Sequence, residues 1–160
     1  MMTVNILCVG KLKEKYWKDA CAEYAKRLTP YCKFSIIEVD EYKVPSNPSD
    51  TDIKNAVDEE GKRLISKLNM DSKVISLCIE GKILSSEELS GTIQNYAVLG
   101  SSKITFVIGG SWGLSNQIKD MSSIKLSISR MTLPHQLARV LMCEQIYRAF
   151  QISSSGKYHK

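Results

Sequence analysis

Glycines and small polar residues that follow two short predicted strands are the first candidates for a binding site. The apolar run at 104–108 ends at Gly109 and Gly110. Glycines at the end of a strand allow another backbone, or a ligand, to approach where a Cβ atom would collide. A second short strand is predicted at 125–129 and leads into the loop 130–133. The two loops are close in sequence, so we predict that they form the floor and wall of one small-molecule pocket.

The two histidines of the chain are the candidate acid–base groups, because imidazole exchanges its proton near neutral pH. His135 lies in the first turn of the helix that Pro134 opens, and His159 lies in the C-terminal segment. A histidine at a helix start can also be a structural hydrogen-bonding residue, so a catalytic role for His135 is one of two alternatives. Arg139, one turn further along, could bind a phosphate or could pair with Glu144 or with a second subunit.

Alternating strand and helix patterns must position these loops. Runs rich in apolar residues predict strands at 3–9, 33–39, 73–79, 103–108 and 125–129. The segment Glu80-Gly81-Lys82 is predicted to turn the chain after the third strand. Helical spacing and capping residues predict helices from about Trp17 to Leu28, after Ser49 or Asp50, after Ser85, between 113 and 125, and after Pro134. This order predicts an α/β fold with a mostly parallel sheet covered by helices on both faces. We expect one domain over 1–160, with residues 153–160 as a C-terminal tail.

The last helix, at 134–150, has almost no polar face. A helix that is apolar nearly all round is buried on nearly all sides, and a terminal helix seldom finds that much cover within a small domain. We therefore predict a homodimer through this helix. The alternative is that it forms the central helix of a monomer.

Composition and charge narrow the class of protein. Residues 101–160 contain eight Lys and Arg against two Asp and Glu, so the net charge of +5 lies with the predicted pocket and the tail. Such a surplus favours a polyanionic partner but does not require one. No apolar run is long enough to span a bilayer, and the N-terminus does not read as a signal peptide. Five scattered cysteines favour neither a disulfide framework nor a metal site, which suggests a cytoplasmic protein.

Familiar nucleotide-binding motifs are absent. The first strand is followed by Gly10 and then by Lys11-Leu12-Lys13, so the G-x-G-x-x-G fingerprint of dinucleotide-binding folds is missing. Gly156-Lys157-Tyr158 lies at the C-terminus and does not make a P-loop. A small-molecule enzyme that uses another nucleotide is therefore the weaker hypothesis.

Several segments in order carry a family resemblance. The runs FVIGGSWGLS, LSISRMTLPHQLARVLMCEQIYRAF and KYHK resemble the RlmH (YbeA) family of ribosomal RNA methyltransferases, in the SPOUT superfamily. The opening VGKLKEKYW, the IEGK segment and the SSEEL helix start fit as well, so the resemblance covers the whole chain. It implies a trefoil knot in the C-terminal half, which no spacing or periodicity reveals, and an obligate homodimer.

The resemblance also implies an activity and its residues. The family methylates N3 of a pseudouridine in large-subunit ribosomal RNA with S-adenosylmethionine, so we expect the isolated large subunit or the whole ribosome as partner. By position, the implied cofactor-binding residues are Leu77, Gly109, Ile128, Ser129, Arg130, Met131, Thr132 and Leu133. The resemblance also points to the tail residues Tyr158, His159 and Lys160 as substrate-binding residues. Arg139 is a further substrate-binding candidate, and His135, Arg139 and His159 are the catalytic candidates. No metal is implied. The rival hypothesis is an RNA- or ribosome-binding protein without catalysis.

Overall fold

The structure is a computed structural model that describes residues 1–154. Strands and helices alternate along the chain as the sequence predicts. Their bounds are β1 (Thr3–Val9), α1 (Lys15–Leu28), β2 (Lys33–Val39), α2 (Asp50–Lys67), β3 (Lys73–Ile83), α3 (Ser86–Val98), β4 (Lys103–Ile108), α4 (Asn116–Met121), β5 (Ile124–Ser127) and α5 (His135–Ser154).

The five strands form one parallel sheet in the order β2-β1-β4-β3-β5. Alternate residues of a strand point to opposite faces, so β1 and β4 each contribute to two separate apolar clusters. Phe106 packs with α1, α3 and α5, whereas its neighbour Val107 packs with α2 and α4. The predicted α/β architecture, with a parallel sheet covered on both faces, is confirmed.

Two predicted helix starts are capped by the residues that the sequence indicates. The Ser49 hydroxyl accepts from the Asp52 N–H at the start of α2, and the Asp52 carboxylate accepts from the Ser49 N–H. Ser85 and Glu88 make the same reciprocal pair at the start of α3. Each pair satisfies two backbone donors that the first helical turn leaves without partners.

The third strand is longer than its sequence predicts. Glu80-Gly81-Lys82 was expected to turn the chain, but β3 continues to Ile83. It pairs with β5 up to Leu77, bulges outward, and pairs again from Lys82 onward. The end of β3 is therefore a bulge of residues 78–81, not a turn, because β5 offers partners on both sides of it.

Helix α5 finds more cover within its own chain than predicted. Met142, Cys143 and Ile146 are buried in the core that α5 shares with α1, α3 and the sheet. Leu137 and Leu141, one turn apart, lie outside both core clusters and are only partly buried. The helix also continues to Ser154, beyond the predicted start of the tail. The homodimer and the trefoil knot stay predictions.

Close approach of β3 to β5 gives a test of this packing. A Cβ atom on Gly81 would lie 2.7 Å from the carbonyl carbon and oxygen of Lys125, and backbone cannot move aside cheaply. We expect Gly81→Ala to lower the free energy of unfolding by roughly 1–3 kcal/mol, as overpacking does. Urea denaturation measures the change.

The matched control is Gly91→Ala, in the middle of α3, where an added Cβ meets nothing within 4 Å. Alanine is the better helix former, so this variant should gain about 0.5–1 kcal/mol. Equal denaturation midpoints for the two variants would contradict the packing described at Gly81.

Candidate functional site

A pocket lies at the C-terminal ends of β3, β4 and β5, where open parallel sheets commonly hold ligands. Its volume is about 780 Å³, within the range of small-molecule and cofactor sites. The bulge of β3, the glycine loop 109–115, the loop 128–134 and the start of α5 form its walls. The predicted joining of two loops into one pocket is found, with the bulge as a third wall.

Most of the predicted cofactor-binding residues meet in this pocket. Its lining includes Leu77, Gly109, Ile128, Ser129, Met131, Thr132 and Leu133. Arg130, the eighth predicted residue, is exposed and is absent from the lining. The placement fits a binding site, and the contacts themselves stay predictions.

Gly109 is required by the loop itself. A Cβ atom there would lie 2.7 Å from the carbonyl carbon of Gly113, so the two ends of the loop touch backbone to backbone. Gly113 has a φ of +83° and donates its N–H to the Gly110 carbonyl at 3.1 Å, which closes a tight turn. The sequence offers two reasons for a glycine here, close approach of another backbone or of a ligand. The structure shows the close approach of another backbone.

Helix α2 supports the glycine loop from behind. A Cβ atom on Gly61 would lie 2.7 Å from the Ser115 hydroxyl, and one on Gly110 would lie 3.2 Å from the Glu60 carboxylate. That carboxylate is buried and accepts the Tyr42 N–H at 3.0 Å. Burial raises the pKa of Glu60. The loop is thus held between α2 and the sheet, with no room to collapse.

Arg130 braces the pocket without lining it. Its Nη1 donates to the Ile79 carbonyl and, at 3.3 Å, to the Gly81 carbonyl. The guanidinium therefore joins the loop after β5 to the bulge of β3. Ser129 acts locally as well, because its hydroxyl accepts the Met131 N–H at 3.0 Å. Both side chains fix the shape of the wall.

His135 lies at the pocket wall beside the β1–α1 turn. Partial burial, and to a lesser degree the neighbouring Arg139 cation, lowers the pKa of His135, while the Glu41 carboxylate opposes the shift. A lowered pKa favours the neutral imidazole, which is the form that can accept a proton.

Arg139 is 1% exposed and is already engaged by its own chain. Its Nη1 donates to the Glu38 carboxylate at 2.7 Å, and its Nη2 donates to the Gly10 carbonyl at 3.1 Å. The alternative pairing with Glu144 is wrong, because Glu144 pairs with Arg148 at 2.7 Å. The contact of Arg139 with a phosphate stays a prediction.

The other predicted residues lie outside the described part of the chain. These are Tyr158, His159 and Lys160. Within residues 1–154, no group of three or more His, Cys, Asp and Glu is arranged to hold a metal ion. None of the helices in that range is long and apolar enough to cross a membrane.

Sequence reasoning missed several groups at the pocket. Ile79 and Glu80 line it because of the bulge, and Lys119 reaches it from α4 while pairing with Glu80 at 2.6 Å. Trp112 lines it from the glycine loop. The glycines around Trp112 were a usable signal, since they mark a turn with a side chain at its tip. Nothing local in the sequence marks Lys119 or Glu60.

Comparison with known proteins gives a family. The family described as "Predicted SPOUT methyltransferase" matches residues 2–159. The chain is 52% identical over 159 residues to the ribosomal RNA large subunit methyltransferase H of Bacillus pumilus (strain SAFR-032), covering 99% of this chain and 100% of that protein.

Solved structures of similar fold include two bacterial proteins. A probable methylase family protein from Haemophilus influenzae Rd KW20 aligns with a TM-score of 0.55 at 15% identity, over 99% of this chain and 71% of the other. A probable methyltransferase from Bordetella pertussis Tohama I aligns with a TM-score of 0.55 at 13% identity, over 93% and 96%. At these identities the likeness concerns the fold alone. Together with the family match over nearly the whole length, it confirms the resemblance carried by the glycine loop and the MTLPHQ segment: this chain belongs to the SPOUT methyltransferase family.

Proposed function

We propose that this protein transfers a methyl group from S-adenosylmethionine to N3 of a pseudouridine in large-subunit ribosomal RNA. The observation that carries the proposal is the pocket at three strand ends, in a chain that shares half its residues with a ribosomal RNA large subunit methyltransferase H. The pseudouridine and its N3 atom follow from the family resemblance. The protein acts in the cytoplasm, where ribosomes are found.

The pocket fits S-adenosylmethionine in size and in chemistry. About 780 Å³ accommodates a nucleoside with an amino-acid arm, and the walls offer apolar side chains beside backbone polar groups. Gly109 presents backbone without a side chain, and the loop 128–133 supplies N–H and carbonyl groups. Leu77 contributes chiefly through its backbone, since its side chain packs against the core.

The reaction needs alignment and the removal of one proton. When bound, S-adenosylmethionine would supply an activated methyl group, whose transfer to N3 would leave the electron pair of the broken carbon–sulfur bond on sulfur. The N3 proton must pass to a base so that the nitrogen lone pair is free to attack. A rigid pocket contributes by holding methyl and acceptor in line, which lowers the entropic part of the barrier.

His135 is the group that we assign to the proton. It lines the pocket, and its lowered pKa favours the neutral form, which a base must have. Arg139 acts on it by charge, because the cation disfavours the imidazolium form. Arg139 would reach an RNA phosphate only if its pair with Glu38 opened.

The working form that we propose is a homodimer through α5. Leu137 and Leu141 form an apolar stripe on this helix that lies outside both core clusters and that the chain covers only in part. The tail would then close over the acceptor site of the other subunit, with Tyr158, His159 and Lys160 contacting RNA. Stacking on unpaired bases and neutralising phosphates are the usual means by which proteins hold RNA loops.

Methyl transfer from labelled cofactor tests the function directly. Naked ribosomal RNA, isolated large subunits and whole ribosomes serve as three substrates. A single small domain has little surface for reading RNA, so we expect the assembled particle to be methylated and naked RNA to be a poor substrate.

Gly109→Ala should weaken S-adenosylmethionine binding by about tenfold or more, because the new Cβ atom displaces the loop.

Gly91→Ala is the control for that variant, since its added methyl group lies in open space. It should bind the cofactor and methylate ribosomes as the wild type does. Wild-type protein that binds ribosomes without saturable cofactor binding in calorimetry would favour the non-catalytic alternative.

The proton-accepting role of His135 predicts a pH profile. The single-turnover rate on ribosomes should fall as pH falls through the lowered pKa, so its acid midpoint lies below the ordinary value of 6.5. Glu41→Gln removes the carboxylate that favours imidazolium, so the midpoint should move to still lower pH. His135→Gln should lose on the order of 100-fold in rate, along with the acid limb. A His135→Gln enzyme with wild-type rate and profile would refute the assignment.

The dimer predicts a sharp effect at Leu141. Leu141→Asp would bury an unpaired charge at the interface, at a cost of about several kcal/mol, and should yield a monomer. Sedimentation at micromolar concentration measures the mass. Met70→Asp, at a residue 72% exposed between α2 and β3, makes the same chemical change elsewhere and should stay dimeric. Ile146 is unsuitable for this test because it is buried in the protein's own core. A monomeric wild type would overturn the dimer.

A further inference from the structure

Trp112 is placed at the mouth of the pocket by a tight turn. It stands at the tip of the turn 110–113 and is 41% exposed. The hydrogen bond from the Gly113 N–H to the Gly110 carbonyl closes the turn, and the positive φ of Gly113 redirects the chain directly after the tryptophan. Packing of Gly109 against Gly113 fixes the base of the loop. The backbone that carries the indole is therefore rigid.

Among the described residues, no other aromatic ring pairs with the Trp112 indole. Within residues 1–154, the aromatic pairs and the cation–ring contacts all involve other side chains. A tryptophan has two side-chain torsions, so holding it against a ligand costs little entropy. A large aromatic face on a rigid turn is thus available at the pocket.

Two more exposed apolar side chains line the same mouth. Ile79, on the bulge of β3, is 47% exposed, and Met131, in the loop after β5, is 73% exposed. With Trp112 they are three exposed apolar residues that line the pocket, one from each of three strand ends, and are called the apolar rim below. Exposed apolar groups gathered around a pocket indicate a binding surface. Methionine adapts its shape to a flat partner.

The apolar rim is exposed to solvent, so a ligand attached to a large molecule can reach it. A free cofactor can enter the interior, whose lining includes the buried Ile108, Gly109 and Leu126. A base attached to ribosomal RNA can reach only the mouth. Nucleobases present flat faces that stack on indole whatever their sequence. An unpaired pyrimidine therefore fits the rim better than the cofactor does.

We propose that Trp112 is a stacking platform for the target pyrimidine, with Ile79 and Met131 completing an apolar rim around it. This inference rests on the proposed function, because that function brings a nucleobase to this pocket. Trp112 would act by binding and orienting the base. It takes no part in proton transfer.

Kinetics on ribosomes that lack the modification test the platform. Trp112→Ala should lower kcat/KM for ribosomes by about tenfold or more, while the Kd for S-adenosylmethionine changes less than about twofold. Trp112→Phe keeps an aromatic face and should recover most of the loss, which a purely structural role for the indole would not explain. Unchanged kcat/KM in Trp112→Ala would overturn the proposal.

Two other occupants have their own signatures. If the cofactor stacks on Trp112, its Kd rises by the same factor as kcat/KM falls. If a second copy of the chain covers the rim, Trp112→Ala sediments as a monomer. Either result would overturn the proposal.

A fluorescence measurement separates the platform from the activity. The chain has two tryptophans, so Trp17→Phe leaves Trp112 as the only indole. With S-adenosylhomocysteine saturating the interior, uridine 5′-monophosphate should quench this emission, and ribose 5-phosphate, which lacks a base, should not. Trp112→Phe, which keeps Trp17, should respond to neither. If the wild-type protein methylates no ribosomes, the proposed function fails. Quenching of Trp112 fluorescence by uridine 5′-monophosphate then still tests whether a base stacks on Trp112. Absence of quenching would overturn the proposal.

Discussion

The close contact of β3 with β5 is the constraint on which the pocket depends. At Gly81 the two backbones touch with no side chain between them, and the strands pair on both sides of that point. Cys78, Ile79 and Glu80, just before this contact, have no pairing partner in β5. They become a pocket wall, which Arg130 ties to the loop after β5. A strand irregularity thus creates the site, as β-bulges often do.

A second set of close contacts fixes the opposite wall. Gly61 and Glu60 of α2 press on the glycine loop from one side, and Gly113 presses on Gly109 within it. These contacts involve backbone or buried side chains, so the loop has few alternative shapes. Stiffness of this kind suits methyl transfer, which demands a linear arrangement of donor, carbon and acceptor. The same stiffness lets an exposed side chain such as Trp112 be held in place without being buried.

The sequence correctly predicted the features that depend on residues close together in the chain. Ser85 and Glu88 predicted the start of α3 because both capping partners lie within one helical turn. The bulge at Gly81 was mistaken for a turn, since the strand that keeps it in the sheet lies far along the chain. Glu144 is one of several partners that the sequence offers for Arg139, whereas the observed partner, Glu38, is 101 residues away. The cofactor-binding loop residues came from family resemblance. Patterns alone had offered only a pocket between two loops.

The order of strands in the sheet bears on how the chain is made. β4 lies between β1 and β3, so residues 1–100 contain a single pair of neighbouring strands, β1 and β2. β3 must wait, apolar and without neighbours, until residues 103–108 have been synthesised. β3, β4 and β5, which form the pocket, can therefore pair only at the end of synthesis. Completion of the sheet is therefore a late, long-range event, and the nascent chain is exposed to aggregation until it occurs.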